Sequence, residues 1–91
     1  MATFVREFTM APDDERRLAV RPAHRDYVRE LFGRGEIRMS GPLADNTGAI
    51  MVYEAANEAA ARTLIAADPY SSEGVVTETS LREWTVIVPA T

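Results

Sequence analysis

Cysteine is absent from the 91 residues. That excludes disulfides, thiolate zinc sites and cysteine nucleophiles, and it fits a reducing, cytoplasmic setting. Histidine occurs once, as His24. Asp13, Asp14 and Glu15 cluster, but no regular ligand spacing follows them, so no metal site is expected. The net charge is −4 with no run of basic residues, which removes the electrostatic footprint of nucleic-acid binding. Aromatic residues are 8% of the chain and form no RNP pattern, so an RNA-reading sheet is set aside as well. No apolar stretch approaches the ~18 residues of a membrane span. The N-terminus opens directly on strand-like sequence, so no signal peptide is expected. There is no internal repeat and no low-complexity tract. A chain this short buries roughly 60–65% of its unfolded surface and gains from sharing a face with a partner.

Residues 1–91 are thus read as one domain. Residues 3–10 put Phe4, Phe8 and Met10 on one parity, the pattern of a strand. A polar loop is expected over residues 11–20. Pro22 suits a helix's first turn, where a missing N–H costs nothing. In that helix His24, Tyr27, Val28 and Leu31 share one face, and Gly33 and Gly35 close it. Residues 37–44 read as a second strand running into a Gly–Pro turn, and residues 49–54 as a third. The third is apolar on both parities, as in a central strand covered on both faces. Asn57 caps a second helix, which carries Ala61, Leu64, Ile65 and Asp68 on one face and ends before Pro69. A last strand lies within residues 75–88.

The element order β-α-β-β-α-β predicts an α+β, ferredoxin-like sandwich, with two helices on one face of a four-stranded antiparallel sheet. No helix remains to cover the opposite face, so a homodimer through that open sheet face is expected. Trp84 suits sheet packing or that interface. The topology also makes a geometric prediction. His24, Asp68, Pro69, Tyr70, Ser40, Gly41, Pro42 and the loop of residues 11–20 should share one end of the molecule. Asp68 is oddly placed, because a carboxylate in a helix's last turn faces the negative end of the macrodipole, at a cost of roughly 0.3–1 kcal/mol. It also lies on an apolar face, where a charge needs a partner. The imidazole of His24 is the expected partner, and an aspartate orienting a histidine is a recurring device for proton transfer. Gly41 allows close approach of a ligand to the backbone. Arg16, Arg17 and Arg21 would attract a carboxylate ligand, although a solvated charged loop is the simpler reading of them.

The run RPAHRDYVRELFGRGEIRMSGPLAD, the alanine-rich helix ending AADPY and the late REW together resemble the YciI-like (YCII-related) family, from about residue 4 to residue 88. The resemblance implies a ferredoxin-like dimeric α/β barrel and a site built on a His–Asp pair, here His24 and Asp68. Relatives include a chloromuconolactone dehalogenase, and most members have no assigned reaction. This chain departs from the pattern in having Tyr70 where phenylalanine is common, which adds a hydroxyl within reach of a ligand. It also carries Arg6 and Glu7 on a first strand that is usually more apolar.

Two functions follow as expectations. The first is a small-molecule enzyme of lyase, isomerase or dehalogenase type, without metal or cofactor. His24 would be its acid or base, Asp68 its orienting partner, and Ser40, Gly41, Pro42, Tyr70 and Arg21 its substrate-binding residues. A lactone or a halogenated or hydroxy acid is the substrate suggested by analogy. The alternative is a non-catalytic dimer that binds a metabolite or supports another protein. Neither heme nor flavin finds support in the sequence.

Overall fold

The computed structural model describes residues 1–89. Its elements are β1 (Ala2–Thr9), α1 (Glu15–Gly33), β2 (Ile37–Pro42), β3 (Gly48–Ala55), α2 (Glu58–Ala66), α3 (Pro69–Ser72) and β4 (Thr77–Glu83). The four strands form one antiparallel sheet in the order β2-β3-β1-β4, the ferredoxin-like arrangement that the element order predicts. Phe4 and Phe8 of β1 share the helix-side face with Met51 and Tyr53 of β3, and Leu31 and Ala61 close over them.

β3 is an inner strand, as its two apolar parities require. Its helix-side residues Ala49, Met51 and Tyr53 are buried, and so is Val52 on the other side, while Ile50 is 38% exposed. The pairing register puts Met39 opposite Val52, and Trp84 donates its N–H to the Thr3 carbonyl beside that same open face. Both side chains are exposed.

Helix α1 departs from expectation. It begins at Glu15, not near Pro22, so the expected polar loop of residues 11–20 is helical from residue 15 onward. Asp14 is its N-cap, its carboxylate accepting the Arg16 N–H at 3.0 Å, and Glu15 adds negative charge at the positive end of the dipole. Pro22 therefore lies inside the helix, where it forfeits one backbone hydrogen bond. Arg17 anchors the first turn through the Ala11 and Pro12 carbonyls at 3.2 and 2.8 Å. Gly35 ends the helix in the left-handed region at φ 77°. The Gly35 and Glu36 N–H groups return to Phe32 and Leu31, the Schellman pattern.

Asp68 also needs a correction. Helix α2 ends at Ala66 with Ala67 as its C-cap, and Asp68 is the N-cap of α3 instead. Its carboxylate accepts the Tyr70 N–H at 2.9 Å. The dipole penalty expected of a last-turn aspartate is absent, because helix α2 stops at Ala66 and a new helix begins at Pro69, with Asp68 at its N-terminal, positive end.

Candidate active site

The expected convergence at one end of the molecule has a specific chemical core. Asp68 is fully buried and has three partners. Its Oδ1 lies 2.7 Å from His24 Nδ1 and accepts the Tyr70 N–H; its Oδ2 accepts from Arg6 Nη1 at 2.8 Å. Two of these partners come from opposite directions, His24 from α1 above and Arg6 from β1 below.

Arg6 is 1% exposed and sits on the same parity as Phe4 and Phe8. Strand alternation therefore drives it into the core, where a guanidinium needs anionic and hydrogen-bonding partners. Nε donates to Glu78 at 2.6 Å, Nη1 donates to the Tyr53 hydroxyl at 2.9 Å and Nη2 to Ser71 Oγ at 3.1 Å. A bulge makes the Glu78 contact possible. The β1–β4 register slips between Glu7 and Phe8, pairing Phe8 with Glu78, and so turns Glu78 to the helix side beside Arg6. The guanidinium also lies 4.7 Å over the Phe8 ring, a favourable cation–π position.

The electrostatics follow from these contacts. Burial opposes the charge on Asp68, but its contacts with His24, Arg6 and the Tyr70 N–H outweigh that and hold the carboxyl below the usual carboxylate range. Burial likewise opposes the charge on Arg6, yet Tyr53, Glu78 and Asp68 keep its pKa above the ordinary arginine value. Burial pushes the Tyr53 phenol up, so it stays protonated. An ionised carboxylate only accepts hydrogen bonds, so His24 Nδ1 must carry the hydrogen that it shares with Asp68. In the neutral ring Nε2 then holds the lone pair. No buried side-chain nitrogen or oxygen lacks a partner among the described residues, and Nε2 makes no hydrogen bond there. Nε2 therefore reaches open space.

That space is a cavity of about 270 Å³, just below the roughly 300–1,000 Å³ of drug-sized ligand sites and so suited to a small metabolite. His24 lines it together with Arg21 from α1, Ser40, Gly41 and Pro42 from β2, and Tyr70 from α3. The structure thus brings His24, Arg21, Ser40, Gly41, Pro42 and Tyr70 to one place, with Asp68 beneath the wall rather than in it and Arg16 outside it. Ser40 and Pro42 pair with Met51 and Ala49 and so share the helix-side face of the sheet. The Tyr70 ring stacks on the imidazole at 3.8 Å, tilted by 5°, and meets Phe8 edge-on. Its hydroxyl accepts from Arg17 Nη1 at 3.2 Å. Tyr27, on the same face of α1 as His24, instead donates to the Leu64 carbonyl at 2.6 Å and ties α1 to α2.

Arg6 and Arg17 carry more than their local sequence signals. Arg6 was noted only as a charge out of place, although its parity with Phe4 and Phe8 was the signal that it points inward. Arg17 is not part of a solvated loop but is 3% exposed in the cavity wall, whereas Arg16 is exposed on the first turn of α1 and donates to the Glu73 carbonyl. Among the described residues no group of three potential ligands is placed to hold a metal, and no helix is long and apolar enough to cross a membrane.

Fold and site together define a small ferredoxin-like protein with a buried Arg–Asp–His chain opening on one cavity. The YCII-related domain family matches residues 2–85, and the chain belongs to that family. Among solved structures it is similar to the 5-chloro-2-hydroxyhydroquinone dehydrochlorinase of Burkholderia phenoliruptrix AC1100, solved in complex with 2,5-dihydroxybenzoquinone. The TM-score is 0.80 at 20% sequence identity, over 98% of this chain and 99% of that one. No functionally curated protein matches the sequence.

Proposed function

We propose that the protein is a small-molecule enzyme that moves protons without a cofactor, with His24 as acid or base and Asp68 as the residue that orients it. The observation that carries this reading is the asymmetry of the imidazole: Nδ1 is held by a buried carboxylate at 2.7 Å and Nε2 faces the cavity. In the forward direction Nε2 takes a proton from a carbon or hydroxyl of the substrate. The electron pair left behind forms a double bond and expels a leaving group, or shifts along a conjugated system and is reprotonated by the imidazolium. Asp68 stabilises the imidazolium while it lasts, and Arg6 keeps Asp68 ionised throughout. A positioned base of this kind is worth about 10²–10⁴-fold in rate.

A lactone or a halogenated or hydroxy acid fits the size of the cavity and the chemistry. The dehydrochlorinase of the same fold supports elimination as the reaction class by analogy. Ser40, Gly41, Pro42, Tyr70 and Arg21 are the substrate-binding residues in this reading, and a second copy of the chain packs on the open sheet face around Met39, Ile50 and Trp84.

The test is hydrogen–deuterium exchange and elimination, followed by NMR in D₂O, across a panel of hydroxy acids, chlorinated acids and lactones. Turnover or exchange that disappears in His24→Ala supports the assignment. Rates unchanged in His24→Ala overturn it. A compound that stabilises the fold and is recovered unexchanged points to the non-catalytic binding dimer instead.

A further inference from the structure

The cavity is a cationic hole in an acidic protein. All ten basic side chains of the chain are arginines, against fourteen carboxylates. Four of those arginines, Arg17, Arg21, Arg25 and Arg29, line this one cavity, and none of the carboxylates does. Their spacing explains the concentration. Residues four apart on an α-helix drift by only roughly 40° per step, so the four form a single stripe about 18 Å long beside His24.

Arg17 is the informative member. It is buried, yet its hydrogen bonds run to the Ala11 and Pro12 carbonyls and the Tyr70 hydroxyl, all neutral. No carboxylate lies within salt-bridge distance of it among the described residues. Arg6, by contrast, is matched by Asp68 and Glu78. A buried guanidinium without a counter-charge is costly, and the neighbouring Arg21 and Arg25 raise that cost by repulsion. Arg29 has only a solvent-exposed contact with Asp26, at 3.9 Å. The missing negative charge has an obvious place to come from, the cavity that all four arginines line.

We infer that the cavity binds a small organic carboxylate, held by Arg17, Arg21 and Arg25 with its remaining atoms directed at His24. The inference rests on reading this cavity as the substrate site, and it selects the acids over the neutral lactones. Guanidinium groups suit this ligand because their planar fork matches a carboxylate. They also stand where the negative charge formed by proton removal next to the carboxylate would be stabilised.

The test uses maleate as probe and its uncharged diester, dimethyl maleate, as control, with binding followed through the arginine Nε–H and His24 resonances. Maleate should shift the Arg17, Arg21 and His24 signals saturably, and added sodium chloride should weaken it. Dimethyl maleate should not bind. Arg21→Gln and Arg25→Gln, both at partly or fully exposed positions, should each weaken maleate about ten-fold while the melting temperature stays near that of wild type. Equal binding of acid and diester overturns the inference, as does unchanged affinity in both variants. So does the absence of any shift with maleate or benzoate at ~10 mM, where even a millimolar site fills. Arginine-dependent binding without turnover sustains the anion site and removes the catalytic reading. His24-dependent exchange with no preference for acids does the reverse.

Discussion

Replacing Asp68 by asparagine tests the centre of the molecule with the smallest possible change in shape. The carboxylate uses both oxygens: Oδ1 accepts from His24 and the Tyr70 N–H, and Oδ2 from Arg6. An amide has one oxygen and one NH₂ group. If its oxygen faces Arg6, the NH₂ opposes the Tyr70 N–H; if its oxygen faces Tyr70, the NH₂ opposes the Arg6 guanidinium. One buried donor is therefore left facing another in either orientation, and Arg6 loses its buried counter-charge. Breaking a buried pair from one side costs about 3–5 kcal/mol. At roughly 4–8 °C per kcal/mol for a domain of this size, the melting temperature should fall by about 12–40 °C at neutral pH. The loss should depend on pH with a definite sign. Asp68 has a lowered pKa in the folded protein. Its contribution is therefore fully present above the unfolded carboxyl value of ~3.9 and is lost as pH falls through the folded value. Thermal melts of the two proteins by circular dichroism should thus converge below about pH 4. A drop of only a few degrees at pH 7, or a gap that is the same at every pH, would refute the reasoning about the buried pair.

Other perturbations separate the parts of this account. Tyr70→Phe keeps the stack on His24 but leaves Arg17 Nη1 without its hydroxyl acceptor, and should cost about 1 kcal/mol in urea unfolding; Tyr70→Leu loses both ring contacts as well and should cost clearly more. Asp14→Ala should destabilise by about 0.5–2 kcal/mol through loss of the α1 cap, whereas a helix starting at Pro22 would leave the same change nearly silent. Gly48→Ala places a Cβ 2.5 Å from the Phe8 carbonyl oxygen. Backbone must move to admit it, so a loss of roughly 1–3 kcal/mol is expected in the same assay.

The strands and the second helix were legible because their signals are local. Phe4 and Phe8 alternate, β3 is apolar on both parities, and Asn57 caps where a cap is needed. The topology then carried His24 and Asp68 to the same end, since crossover handedness leaves little choice. The first helix was misjudged because two local signals conflict. Pro22 imitates a first turn, and the true start rests on Asp14 followed by Glu15, a pattern that reads equally well as a polar loop. Tertiary contacts of Arg17 settle the matter, and these are not visible in local sequence. Asp68 was found for a partly mistaken reason: its burial needed a partner, as inferred, but it caps α3 rather than ending α2. Arg6 was overlooked as a partner because its match, Glu78, is 72 residues away and is aimed by a bulge that no periodicity reveals.

The most direct test of the central claim is the tautomer of His24, read from the ring-nitrogen shifts of the only histidine in the chain by long-range ¹H–¹⁵N NMR. A carboxylate at Nδ1 and an open cavity at Nε2 predict that the neutral form of the ring carries its proton on Nδ1, a preference that is lost in Asp68→Asn. A ring with its proton on Nε2, indifferent to Asp68, would mean that the lone pair does not face the cavity, and the proposed proton transfer would have no base.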